Sequence, residues 1–404
     1  MQKITRVLEE SIVDMIKYDK ENSVETVIKT VFETIMNCER GNFLEQPEQK
    51  INGNKGNGYY ERAARGITKY FMLQIPRDRL SFFKSVFLEA MKKKDEQMQE
   101  LALKLYVKGL TTKEIENVLK ESFGKKLSSG SVSNITKKFE IERKQWQQRH
   151  LDEKYIVLFI DALWIPIRRN HVEKEAFYIV LGLKEDLTRE FLGVYNIPSE
   201  SAQGWAEVFN DLKLRGLKQA LMVVADGLKG LNEVIPAALP GAMFQRCTVH
   251  KKRNVLVKIR PSDKPIIAQE LKNIFKTGDS SFTQEKAENS LNDFIKRWKR
   301  IYPFLQNKFP QNEMDNLFAY LKFPYQVQSM VYTTNWLERA NRTIRRTQKI
   351  RNSFPNEDSA MNLVCACLME QEQNFYLKHK ISGFSCVQNV FRDWFKELRQ
   401  TQFS

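Results

Sequence analysis

Two short apolar runs, each ending in an aspartate, constrain this 404-residue chain most. Tyr155-Ile156-Val157-Leu158-Phe159-Ile160 leads into Asp161, and Ala220-Leu221-Met222-Val223-Val224-Ala225 leads into Asp226 and Gly227. Runs this short, and this rich in β-branched and aromatic residues, read as buried core strands. A lone aspartate after a strand is usually a turn or cap residue. Two of them at strand ends stand where α/β sheets build their sites.

A third carboxylate lies on a helix crowded with guanidinium groups, Tyr332-Thr333-Thr334-Asn335-Trp336-Leu337-Glu338-Arg339-Ala340-Asn341-Arg342-Thr343-Ile344-Arg345-Arg346. Glu338, Arg342 and Arg345 share one helical face by spacing, so arginines there can grip a phosphate backbone beside a metal-holding carboxylate. The competing reading is a capping box, Asn335 with Glu338, in which the glutamate only caps its own helix.

Asp161, Asp226 and Glu338 together resemble the DDE triad of ribonuclease-H-like transposases. More narrowly, Thr334-Asn335 before Leu337-Glu338-Arg339, then Asn341-Arg342 and Ile344-Arg345-Arg346, resembles the bacterial insertion-sequence branch of the Mutator-type transposase family. Gln245-Arg246-Cys247-Thr248-Val249-His250-Lys251-Lys252-Arg253-Asn254-Val255 is similar to that family's Cys-x-x-His block, and Phe354-Pro355-Asn356-Glu357 fits it downstream. The resemblance spans roughly residues 50–370, and several blocks in the right order specify far more than one motif does. Trp336, Ala340 and Thr347 depart from the usual pattern.

The resemblance implies an α/β chain: a ribonuclease-H-like core with a mixed five-stranded sheet, interrupted by an all-helical insertion and preceded by a mainly helical DNA-binding region. The expected divisions are an N-terminal helical region (1–50), a linker and small hairpin forming a DNA-binding arm (51–94), and a helix-turn-helix (95–150). The core follows in two parts (151–260 and 326–404), with the insertion (261–325) between them. Strands are expected at about 155–161, 177–183, 190–197, 220–226 and 242–246, with a helix at about 201–215. The insertion carries Phe282, Phe294, Trp298, Tyr302, Phe304 and Phe309, which read as its own core rather than a base-stacking surface.

In the N-terminal region, Val7, Ile12, Met15, Ile16, Val27, Val31 and Ile35 recur at helical steps. Asn52 to Gly58 holds three glycines and reads as a flexible linker, followed by a hairpin from Glu61 to Ile75 around Gly66, closed by Pro76 to Arg79. Further on, Leu101, Leu105 and Tyr106 end a helix at Gly109, and Thr111 with Glu114 forms a capping box for the next. Ser128 or Ser129 caps a third helix, bearing Ser131, Ser133, Asn134, Lys137 and Lys138. These are the candidate DNA contacts, with early residues over base edges and lysines on phosphates. The alternative is a helical hairpin packed on the core.

Composition agrees. The chain has 65 Lys and Arg against 49 Asp and Glu, a net charge of +16, which suits a polyanionic partner. Five cysteines in this length suggest a reducing compartment rather than a disulfide framework. No apolar run is long enough to span a bilayer, so a soluble, cytoplasmic, nucleoid-associated protein is expected.

Carboxylate oxygens are hard ligands, so Asp161, Asp226 and Glu338 are the expected ligands of two Mg²⁺ or Mn²⁺ ions, and also the catalytic residues. Such ions support strand cleavage by water and joining of the freed 3′-OH to target DNA by in-line displacement. The resemblance adds terminal inverted repeats and target DNA as partners, a homodimer on DNA, and Asn341, Arg342, Arg345 and Arg346 as DNA contacts. Cys247 and His250 are active-site support, with His250 at the scissile phosphate or holding the site together, and a buried structural pair equally open. A zinc site would need a second ligand pair, which the sequence does not offer. A ribonuclease-H-like nuclease or resolvase, and a domesticated DNA-binding regulator, are the competing functions.

Overall fold

The computed structural model describes residues 23–65, 70–123, 129–197, 200–373 and 375–403. The chain divides into two compact units, residues 1–101 and 102–404. Among the described residues no helix is long and apolar enough to cross a membrane.

In the first unit the helix Ser23–Glu45 packs on a hairpin of β1 (Gly56–Arg65) and β2 (Tyr70–Asp78). Met36, Leu73, Ile75 and Leu88 form its core, with Phe32 and Phe87 in ring contact beside them. Val27, Val31 and Ile35 lie on the helix as expected, whereas Val7, Ile12, Met15, Ile16 and the turn residue Gly66 lie outside the described residues. The expected linker is shorter and better anchored than its glycines suggest. β1 begins at Gly56, and the Asn54 amide donates to Gln49 and Asp78, both at 2.8 Å. Pro76 to Asp78, expected to close the hairpin, are part of β2 itself.

The second unit is built on one mixed sheet, in the order β5 (Arg189–Asn196), β4 (Val172–Lys184), β3 (Lys154–Arg168), β6 (Gln219–Ala225) and β7 (Met243–Arg246). β4 runs antiparallel to β3 and β5, while β6 runs parallel to β3 and β7. One face is covered by the helices Ala202–Leu214 and Leu231–Ala238, through Trp205, Phe209, Leu212 and Ile235. The other carries the helices Asn335–Arg351 and Glu357–Gln373, and its apolar cluster continues into the short helices between residues 264 and 318. Phe294, Tyr302 and Phe309 are buried in that cluster, and Phe275 stacks on Phe318, so these aromatics fill a core.

β3 is longer than expected. Beyond Asp161 it alternates buried Leu163, Ile165 and Ile167 with exposed Trp164 and Arg168, an amphipathic pattern that a search for continuous apolar runs misses. Pro166 belongs within it because β6 pairing has already ended there, leaving an edge where a missing N–H costs nothing. The Pro166 carbonyl accepts from Phe354 N instead, at 2.9 Å.

The capping box forms as read. Thr111 N donates to Glu114 Oε2 at 2.7 Å, and Glu114 N donates back to Thr111 Oγ1 at 3.3 Å, opening the helix Thr112–Phe123. Gly109 holds φ +98°, as a helix stop requires. The next helix, Ser129–Gln148, packs its C-terminal half on the core: Trp146 Nε1 donates to Glu372 at 2.8 Å, and the Gln147 amide pairs both ways with Val194 on the β5 edge. Its N-terminal half carries Ser131, Ser133, Asn134 and Lys138, whose side chains lie outside the described residues, as does Ser128; Lys137 is exposed.

Gly230 opens the helix Leu231–Ala238 at φ +74°, where an added Cβ would stand 2.3 Å from Ala202 N. Backbone cannot yield as a flexible side chain can. Gly230→Ala is therefore expected to destabilise the second unit by roughly 2 kcal/mol or more, from left-handed strain and the clash together, measured by denaturant unfolding. A loss under about 0.5 kcal/mol would show that this turn rearranges freely.

Candidate active site

The last parallel pair between β3 and β6 is Ile160 with Ala225, so Asp161 and Asp226 come next in register on neighbouring strands. Asp161 is therefore not at the end of its own strand, as expected, but where its parallel neighbour stops. On β3 it shares a face with Phe159 and Leu163, which belong to the core cluster that also holds Leu337, Ala340 and Ile344 of the glutamate helix. That face brings Asp161 to Glu338.

The turn before the glutamate helix is fixed to the end of β7. Cys247 N donates to Ala225 O at 2.7 Å, while its thiol contacts Thr333 Oγ1 at 3.5 Å and accepts from Thr334 Oγ1 at 3.6 Å. Thr248 adds two bonds to the Tyr332 carbonyl, from its amide at 3.0 Å and its hydroxyl at 3.1 Å. Cys247 and Thr334 are fully buried. A thiol of this kind acts as a small packed group rather than an exposed nucleophile.

The helix Asn335–Arg351 starts from Thr334, and no side chain caps it. The capping-box reading of Asn335 and Glu338 thus gives way. Glu338 Oε1 is shielded from solvent and makes no hydrogen bond; it stands 3.4 Å from His250 Nε2 and 3.8 Å from Arg253 Nη1. His250, on the helix Thr248–Leu256, also lies 4.0 Å from Asp226 Oδ2 through its other nitrogen. One imidazole therefore links two of the three carboxylates. Contact with the Cys247 thiol, reinforced by the charges of Asp226 and Asp161, pushes the His250 pKa up to about 9 against the opposing effect of burial. Burial raises Asp161 to about 6, with repulsion from Glu338 adding to it and attraction from His250 and Arg345 opposing it.

Arg342, Arg345, Arg346 and Lys349 line a cavity of about 390 Å³ with Asp161, Glu338, His250 and Arg253. The three arginines are exposed, as expected of residues facing a ligand. Asn341, grouped above with the DNA contacts, is instead fully buried and donates to Asp161 Oδ2 at 2.8 Å, so its amide orients a carboxylate. Its position on the Leu337–Ile344 stripe was the available signal. Thr347 breaks the arginine run because it lies on the same inward stripe, and Trp336 is explained by its edge contact with Phe159 and the Arg189 guanidinium over its ring. Gln245 carried no role in the sequence, yet it is fully buried and ties β7 to the short helices Met314–Phe318 and Ala319–Lys322 through Leu317 O and Tyr320 N.

Among the described residues, no three His, Cys, Asp or Glu side chains are gathered closely enough to hold a metal ion. His250 stands among the carboxylates.

A family profile described as "Transposase, Mutator family" matches residues 1–377. The chain belongs to that family. It is similar to the transposase for insertion sequence element IS905 of Lactococcus lactis, 32% identical over 91% of this chain and 93% of that protein. It also resembles the transposase for IS256 in transposon Tn4001 of Staphylococcus aureus, 30% identical over 93% of this chain and 97% of the relative. The transposase for ISRM3 of Rhizobium meliloti is 28% identical over 86% of each.

Because Glu338 caps nothing and repels Asp161, removing its charge should cost little structure. Glu338→Gln is expected to keep thermal stability within about 1 kcal/mol of wild type. A clear fall in the melting temperature would mean that its pairing with His250 and Arg253 holds the fold.

Proposed function

We propose that this Mutator-family transposase binds the terminal inverted repeats of its insertion sequence, cleaves DNA strands by metal-dependent hydrolysis, and joins the 3′-OH to target DNA by transesterification. Asp161, Asp226 and Glu338 are its catalytic carboxylates, carried on a ribonuclease-H-like core, and two copies act on the paired ends. The observation that carries this reading is that Asp161 and an uncapped Glu338 line an arginine-rich cavity, with Asp226 next to Asp161 in register and joined to Glu338 through His250.

The donor atoms are of the kind a hard divalent cation takes, although in this arrangement they are not gathered closely enough to hold one. The oxygens are carboxylate, Asp161 and Glu338 repel each other across the site, and Glu338 Oε1 makes no hydrogen bond. When bound, Mg²⁺ or Mn²⁺ would supply charge stabilisation for in-line displacement at phosphorus. The chain's own residues do the rest. Asn341 fixes the rotation of Asp161, and His250, its pKa raised first by the Cys247 contact, stands between Asp226 and Glu338. Arg342, Arg345 and Arg346 hold phosphates of the bound strand over the site. The N-terminal half of the helix Ser129–Gln148, with Ser131, Ser133, Asn134, the exposed Lys137 and Lys138, is the proposed recognition helix of a helix-turn-helix. Its packed C-terminal half anchors it to the core.

The test uses duplexes carrying the ends of the element that encodes the chain, with Mg²⁺ and mapping of cleaved and joined strands. Asp161→Asn, Asp226→Asn and Glu338→Gln should each remove cleavage and strand transfer while end binding survives, a loss of several kcal/mol in transition-state stabilisation. Arg342→Ala or Arg345→Ala should slow cleavage with stability unchanged to about 1 kcal/mol. Near-normal cleavage by any carboxylate variant would remove that residue from the triad, and cleavage without joining would favour a nuclease.

A further inference from the structure

Asp226 borders a second cavity, separate from the arginine-lined one. It measures about 110 Å³ and is lined by Arg246, Lys251, Asn254, Lys308 and Glu313 together with Asp226. At about 30 Å³ per water, it has room for three or four waters, which suits one phosphate group and excludes a base.

Its charges do not balance among themselves. The Arg246 guanidinium and the Lys251 ammonium share one carboxylate oxygen, Glu313 Oε2, the lysine at 3.2 Å. Lys308 adds a third cation near enough to Lys251 to work with burial and Arg246 in lowering its pKa. Arg246 Nε is shielded from solvent and makes no hydrogen bond. The Lys251 side chain is only 6% exposed and lies against the Phe309 ring, so these cations are fixed in place rather than free on the surface. Gly227 serves the same arrangement: a Cβ there would meet Arg246 Nη2 at 2.0 Å, so the missing side chain lets the guanidinium lie against the backbone next to Asp226.

We infer that this cavity seats a single DNA phosphodiester, the one that follows the scissile phosphate on the Asp226 side, with Arg246, Lys308 and Asn254 as positioning residues. The inference rests on the proposed reading of Asp226 as part of the catalytic centre. A strand lying over the carboxylates has phosphates on both sides of the reacting one. The arginine cavity serves one side, and this cavity is what the chain offers on the other. Glu313 holds Arg246 and Lys251 in position, and the incoming phosphate supplies the negative charge that Glu313 and Asp226 leave short against three cations.

Lys308 is the residue to test, since it lines the cavity and stands outside the catalytic group. Full-length wild-type protein and Lys308→Ala are compared for binding to an element-end duplex carrying one neutral methylphosphonate linkage at a time. Lys308→Ala should weaken binding to the unmodified duplex about tenfold at low salt and reduce the salt slope by about one, with melting temperature unchanged. At one linkage the methylphosphonate should weaken wild type but have no further effect on Lys308→Ala, and Lys308→Arg should behave as wild type. Additive losses at every linkage would overturn the assignment, and so would a lowered melting temperature with DNA affinity intact. Protection of Lys308 by free inorganic phosphate but by no duplex would give the cavity to the free ion instead. Since binding is read, the outcome stands apart from the catalytic reading, which fails separately if Asp226→Asn still cleaves.

Discussion

The parallel pairing of β3 with β6 decides where the chemistry can sit. Once Ile160 and Ala225 are the last pair, Asp161 and Asp226 emerge side by side at the point where one strand stops and the other continues. The continuation is itself needed, because β3 reaches out to Phe354, with the Pro166 carbonyl accepting from its amide and the Arg168 amide donating to its carbonyl, just past the C-terminal end of the glutamate helix. The other end is held by the buried thiol of Cys247 against Thr333 and Thr334. A helix fixed at both ends has little freedom in where it places Glu338.

That helix divides its work by face. Leu337, Ala340, Ile344 and Thr347 point inward, together with Asn341, which reaches Asp161; Arg342, Arg345 and Arg346 point to the cavity. At its end Arg351 donates to the carbonyls of Gly109 and Leu110 and stacks over the Tyr106 ring. The same helix thus touches the carboxylate site and the turn that opens the capped helix pair.

The sequence made the core strands, the glutamate helix and the Thr111 capping box legible because each depends on neighbours a few residues away. Less legible were features decided across long separations. Asn341 read as a surface residue among arginines, although its step from Leu337 placed it on the buried stripe. The length of β3 was hidden by Pro166, whose place in a strand makes sense only once β6 is known to stop short. Gln245 gave no local signal at all, since its partners Leu317 and Tyr320 lie far along the chain.

The central claim is that Asp161, Asp226 and Glu338 work as one unit, and groups that act together lose activity non-additively. The most direct measurement is single-turnover cleavage of an element-end duplex by Asp161→Asn, Glu338→Gln and the double variant at saturating Mg²⁺. The double variant is expected to be no slower than the worse single one. Losses that multiply, with each single variant keeping substantial cleavage, would show two independent contributors and contradict a shared catalytic centre.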